Sequence, residues 1–208
     1  MYLVSSLPKS GTRYMTSVLQ SLGVVAIHEH VPNKPGQEAL VSSIHHDSFA
    51  CTPPHDYDFV IHLVRHPLAW AHGLMRDGTH FKSWDRLGTP LLRFSAVDRI
   101  PEGRETGEVM LLMTWLRGHE WIENVERPAF WVRIEDMGYP SRAKLDLIRF
   151  LGLKAGDVPA VKWDHSHTST GGQLGDPWTR DLPPWPVVPG YEAQIEAVRR
   201  KAIQYGYY

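Results

Sequence analysis

The residues best suited to chemistry fall in three short clusters. The first, Pro8-Lys9-Ser10-Gly11-Thr12-Arg13, sets two cations, two hydroxyls and a glycine within six positions. Small residues that open a helix aim successive backbone N–H groups at one point, where the helix dipole also favours an anion. Lys9 adds a full positive charge, so this loop is suited to cradle a phosphate or sulfate. Its order is not that of the Walker A loop, in which four residues separate a glycine from Gly-Lys-Ser/Thr; here the lysine precedes Ser10-Gly11-Thr12. The same residues would also serve a plain strand-to-helix turn. The second cluster is His28-Glu29-His30, and the third is Arg65-His66-Pro67.

The elements that must position these clusters follow from hydrophobic spacing. Tyr2 to Leu7 reads as a strand, broken at Pro8 to Thr12. Tyr14, Met15, Val18, Leu19 and Leu22 then recur at helical spacing up to Gly23, a suitable stop. Val24 to Ile27 is a second strand, which places Glu29 just past a strand's end before Pro32 and Pro35 enforce a loop. Between 36 and 58 the pattern is open; Glu38 to Ile44 is compatible with a helix, and Pro53-Pro54 makes irregular chain. Phe59 to Val64 is the clearest buried strand, and Pro67 stands at the first position of a helix expected through Arg76. Residues 77 to 106 are a polar excursion broken by Gly78, Gly88, Pro90 and Pro101, whose tips could cover a substrate.

The second half continues the alternation. Val109 to Asn124 is apolar at helical spacing, Ala129 to Ile134 is a strand closed by Glu135-Asp136, and Ser141 caps a helix ended by Gly152. Residues 163 to 190 carry glycines, prolines and three tryptophans in loop chemistry, and Tyr191 to Tyr205 makes a last helix. Strands alternating with helices predict an α/β fold in three layers, a parallel sheet flanked by helices. In such sheets ligands bind beyond the carboxyl ends of the strands, which is where all three clusters fall.

Composition bounds the function. The 208 residues read as a single domain, 1–208, able to bury a substantial core. With 22 Lys and Arg against 23 Asp and Glu, the formal net charge of −1 argues against a nucleic-acid-binding protein. Cys51 is the only cysteine, which leaves no intrachain disulfide and fits a reducing compartment. No apolar run approaches a membrane span and no secretory leader is evident, so a soluble cytoplasmic protein is expected. His28/His30 and His165/His167 have a spacing that could share a metal, but no metal site is expected without cysteines or an HExxH helix.

Pro8-Lys9-Ser10-Gly11-Thr12 after an N-terminal strand resembles the sulfotransferase family. Phe59 to Leu68, with Arg65-His66-Pro67, is similar to that family's strand-Arg-x-Pro-helix element. Phe130 to Met137 followed by Ile148 to Leu153 resembles its "R-x-E-D-L … F-L-G-L" stretch, a structural feature, and Thr170 to Trp178 loosely resembles its glycine-bearing closing loop. The resemblance implies a P-loop nucleotide-kinase-like fold. It also implies 3′-phosphoadenosine 5′-phosphosulfate (PAPS) as sulfuryl donor, bound by Pro8, Lys9, Ser10, Gly11, Thr12 and Arg13, with Arg65 on the 3′-phosphate. Two positions depart from the family: Gly73 stands where a serine is usual, and Arg13 where threonine is commoner.

Sulfuryl transfer requires an in-line donor, stabilisation of the leaving charge and a base for the acceptor. Lys9 and the amides of Ser10 to Arg13 would stabilise the leaving phosphate. Branches of the family use either a glutamate or a histidine as base. Glu29, about twenty residues after Lys9, resembles the former and is favoured; His45 and His46, about twenty residues before Arg65, resemble the latter, while His28 and His30 could tune or replace Glu29. The expected activity is metal-independent transfer to a hydroxyl or amine of a small molecule, glycan or peptide, with residues 77 to 106 as the acceptor-binding excursion. Two other readings compete: a P-loop kinase using ATP and magnesium, with Glu135-Asp136 as metal ligand, and a catalytically inactive nucleotide- or glycan-binding module.

Overall fold

The computed structural model describes residues 2–7, 10–28, 36, 38–43, 57–76, 104–138, 140–154 and 182–207. Five parallel strands form one sheet: β1 (Tyr2–Ser6), β2 (Ala26–His28), β3 (Ala39–Ser43), β4 (Phe59–Val64) and β5 (Phe130–Arg133), in the spatial order β2-β3-β1-β4-β5. β1 lies at the centre, where Leu3, Val4, Ser5 and Ser6 are all buried; strands covered on both faces need such apolar or small residues throughout. The expected parallel sheet with flanking helices is therefore present. Ala39–Ser43 corrects the open reading of Glu38 to Ile44 as helix. It is a strand because pairing with β1 on one side (Leu3 opposite Leu40) and β2 on the other (Ile27 opposite Leu40) satisfies its backbone and buries Ala39 and Val41.

Two compact units divide the chain, one comprising Met1–Arg65 with Ile122–Thr168 and the other His66–Trp121 with Ser169–Tyr208. The first holds the sheet with helices α1 (Thr12–Ser21) and α4 (Arg142–Phe150). α1 packs on β2 and β3 through an apolar stripe of Tyr14, Met15, Val18 and Leu19. It ends at Gly23, whose φ of 85° lets the Val24 N–H reach back to the Leu19 carbonyl at 3.1 Å. On α4, the Ser141 hydroxyl accepts from the Lys144 N–H at 3.0 Å, the expected cap, and Phe150 stacks on Phe130 with ring centroids 4.9 Å apart.

The second unit packs α2 (Pro67–Arg76) and α5 (Glu192–Gln204) against α3 (Arg104–Trp121), whose Leu111, Leu112 and Trp115 are fully buried. His66 accepts the Leu68 N–H on Nδ1 at 3.2 Å and meets the Tyr207 ring edge-on, a packing role. No helix among the described residues is long and apolar enough to cross a membrane.

Between α3 and β5 the first unit carries a π-helical turn, Ile122–Glu126. Both carboxyl oxygens of Glu126 are buried without a hydrogen-bond partner. Burial pushes its pKa from the usual 4.5 up to about 7, offset a little by the nearby Ser5 hydroxyl, which also lacks a formed bond. Tyr57 is raised as well, by burial first and by the Glu126 charge second. The folded state thus holds the Glu126 proton more tightly than the unfolded chain does. Its contribution to stability is full below about pH 4.5 and is lost as the pH rises to about 7. Denaturant unfolding of Glu126→Gln beside the wild type should give similar stabilities at low pH. The variant should gain an advantage on the order of 3 kcal/mol above neutrality, whereas parallel pH profiles would contradict this linkage.

Candidate functional site

Strand order decides where a site can form. β1 and β4 run side by side in register, with Ser6 opposite Leu63, so their carboxyl ends lie roughly 5 Å apart. From β1 the chain passes through α1 to β2, beyond β3; the strand that follows β4 lies on β4's other side. Connections therefore diverge at the carboxyl ends of β1 and β4, and such a switch point leaves a crevice for a ligand. Ser10 to Arg13 follow the first of these ends and Arg65 follows the second.

The start of α1 carries no side-chain cap. Gly11 precedes it at φ 88° and ψ 29°, left-handed values that a Cβ would strain. The Ser10 N–H donates to the Leu7 carbonyl at 3.2 Å, which ties the end of β1 to the start of the helix. The Met15 N–H donates to the Gly11 carbonyl at 2.9 Å and is the first donor of the helical ladder, so the amides of Thr12 and Arg13 come before it. Gly11 offers no side-chain cap and no acidic residue stands in the first turn, leaving the positive pole uncancelled. Ser10 is fully buried, yet its hydroxyl has no hydrogen-bond partner among the described residues. An orphaned buried hydroxyl costs free energy unless something else satisfies it.

One cross-link was not foreseen in this form. The Nε2 of His28, the last residue of β2, lies 2.8 Å from the Oγ1 of Thr12, the first residue of α1. In the sequence His28 stands out for its spacing to His30 and as a neighbour of Glu29; the separation of sixteen positions from Thr12 hides the contact. Of the expected site residues, Ser10, Gly11, Thr12, Arg13 and Arg65 are brought to this end of the sheet, with Arg13 exposed and Arg65 half-buried. Pro8, Lys9, Glu29, His30, His45 and His46 lie outside the described residues, as do His165, His167, Thr170 to Trp178 and nearly all of the 77–106 excursion.

Two further expectations meet the described chain. Arg133 grips Asp136 with both ends of its guanidinium, Nε to Oδ2 at 2.6 Å and a terminal nitrogen to Oδ1 at 2.9 Å, which folds the strand end into a 3₁₀ turn. In the second unit, His72, next to Gly73, pairs its Nε2 with Glu108 at 3.3 Å. A hollow of about 300 Å³ lined by His62, Glu123, Arg127 and Trp131 lies at the amino end of β5. No family model matches the chain, and no curated protein matches it.

Gly11→Ala forces a β-carbon into the left-handed region and should lower stability by about 1–2 kcal/mol. Thermal unfolding measures this directly; an unchanged midpoint would mean that the turn relaxes without strain.

Proposed function

We propose that this chain is a sulfotransferase of P-loop nucleotide-kinase-like type, with a three-layer sheet, that moves a sulfuryl group from PAPS to an acceptor hydroxyl or amine. The observation that carries the reading is the uncapped start of α1 at the β1/β4 switch point, with a buried and unpartnered Ser10 hydroxyl beside it. A hydroxyl donor, an exposed arginine and a dipole's positive pole form a set that fits the phosphosulfate end of such a donor. Arg65, at the neighbouring strand end, fits its second phosphate. When bound, PAPS supplies the activated sulfuryl group.

The chain's own residues then have separable duties. Ser10, Gly11, Thr12 and Arg13 hold the anionic end, and Lys9 lies two residues from Gly11, where its ammonium would stabilise charge leaving on the bridging oxygen. Glu29, which follows His28 in the sequence, is the favoured base, and His46 is the alternative. Phosphoryl transfer from magnesium-ATP is the competing chemistry. It wants an acidic magnesium ligand near a strand end, and Asp136 has both oxygens engaged by Arg133.

Transfer of radiolabelled sulfate from PAPS to pooled phenols, sugars and amines tests the reading. Lys9→Ala should lower kcat by at least about a hundredfold while the donor KM moves only a few-fold; equal losses in both would remove that role. Glu29→Gln should depress turnover by roughly 10²–10⁴ and His46→Ala far less. Turnover that survives both changes would exclude both bases, and no transfer to any pool, with no slow donor hydrolysis, favours the inactive module.

A further inference from the structure

We infer that His28 is a positioning residue for the anion site, acting through Thr12. The inference rests on the reading of α1's start as the anion-binding end of the site. His28 closes the three-residue edge strand β2, where it sits opposite Val41 of β3, and its Nε2 reaches Thr12 Oγ1 at 2.8 Å. Thr12 is buried at the first position of α1, in the helix's first turn, and its carbonyl accepts from the Thr16 hydroxyl at 3.0 Å.

A threonine hydroxyl has one hydrogen and two lone pairs. If Thr12 spends that hydrogen on a bare Nε2, only lone pairs remain for a neighbouring anion, and they repel it. If His28 carries the hydrogen on Nε2 and donates it to Oγ1, the hydroxyl hydrogen is left for the anion. The tautomer of His28 therefore decides whether Thr12 attracts or opposes an oxyanion at the helix start. His28 touches no ligand itself. It sets the direction of a neighbouring donor, in the way an outer group fixes the orientation of an inner one.

Three substitutions and one spectrum test this. Nitrogen-15 NMR of the ligand-free protein should show the His28 ring protonated on Nε2. Calorimetric affinities for 3′-phosphoadenosine 5′-phosphate should fall by about tenfold or more in both Thr12→Val and His28→Leu, the scale of one hydrogen bond to a charged group. The double variant should be hardly worse than either single, because both remove one interaction. His28→Gln keeps an N–H at a similar reach and should stay within a few-fold of wild type, which a merely space-filling role would not predict. Losses that add, a glutamine as damaging as leucine, or a ring protonated only on Nδ1 would overturn the inference. If the wild type fails to bind the bisphosphate, the donor assignment falls, and the same cycle with inorganic sulfate and pyrophosphate decides the role of His28. If none of these anions binds, both fall.

Discussion

Parallel pairing of β1 on both sides is the constraint on which everything else depends. Five residues, Tyr2 to Ser6, are matched one for one with Ala39–Ser43 and with the first five residues of β4. A one-residue slip would turn every buried side chain of β1 to the opposite face. That register fixes where β1 stops relative to β4, and so where Ser10 and Gly11 stand relative to Arg65. It also leaves little choice for the next step: α1 begins within a few residues of a fully buried Leu7, and its apolar stripe closes over β2 and β3.

The two ends of the sheet carry opposite electrostatic problems. At the carboxyl end, α1 begins with a bare positive pole, a glycine in place of a capping side chain and a buried hydroxyl with nothing to bond. An anion would satisfy all three at once. Near the amino end of β5, the π-helical turn buries the carboxyl of Glu126 near Ser5 without a hydrogen-bond partner among the described residues, and burial raises its pKa to about 7.

Features encoded by neighbouring residues were legible in the sequence. Gly23 and Gly152 end their helices at positive φ, Ser141 caps α4, and Phe59 to Val64 makes a buried strand stopped before Pro67. What escaped depends on contacts between distant segments. β3 is five residues without a long apolar run, and it becomes a strand only because β1 and β2 lie on either side of it. Its insertion between β2 and β1 could not be read from periodicity. The link from Thr12 to His28 and the raised pKa of Glu126 likewise depend on tertiary placement: a histidine near a carboxylate suggests acid–base work, and nothing local says that its ring reaches back to a helix start. The strand-to-helix junction at Ser10 to Arg13 was readable, because a glycine between small hydroxyl residues after an apolar run marks a tight turn into a helix.

The central claim is that the β1/β4 switch point binds a nucleotide carrying phosphates at two positions, without a metal. Calorimetric titration with 3′-phosphoadenosine 5′-phosphate, beside ATP with and without magnesium, addresses it without knowledge of the acceptor. Binding of the bisphosphate that ignores magnesium, with ATP much weaker, is the expected result. Preference for magnesium-ATP, or no binding of either nucleotide, would contradict it.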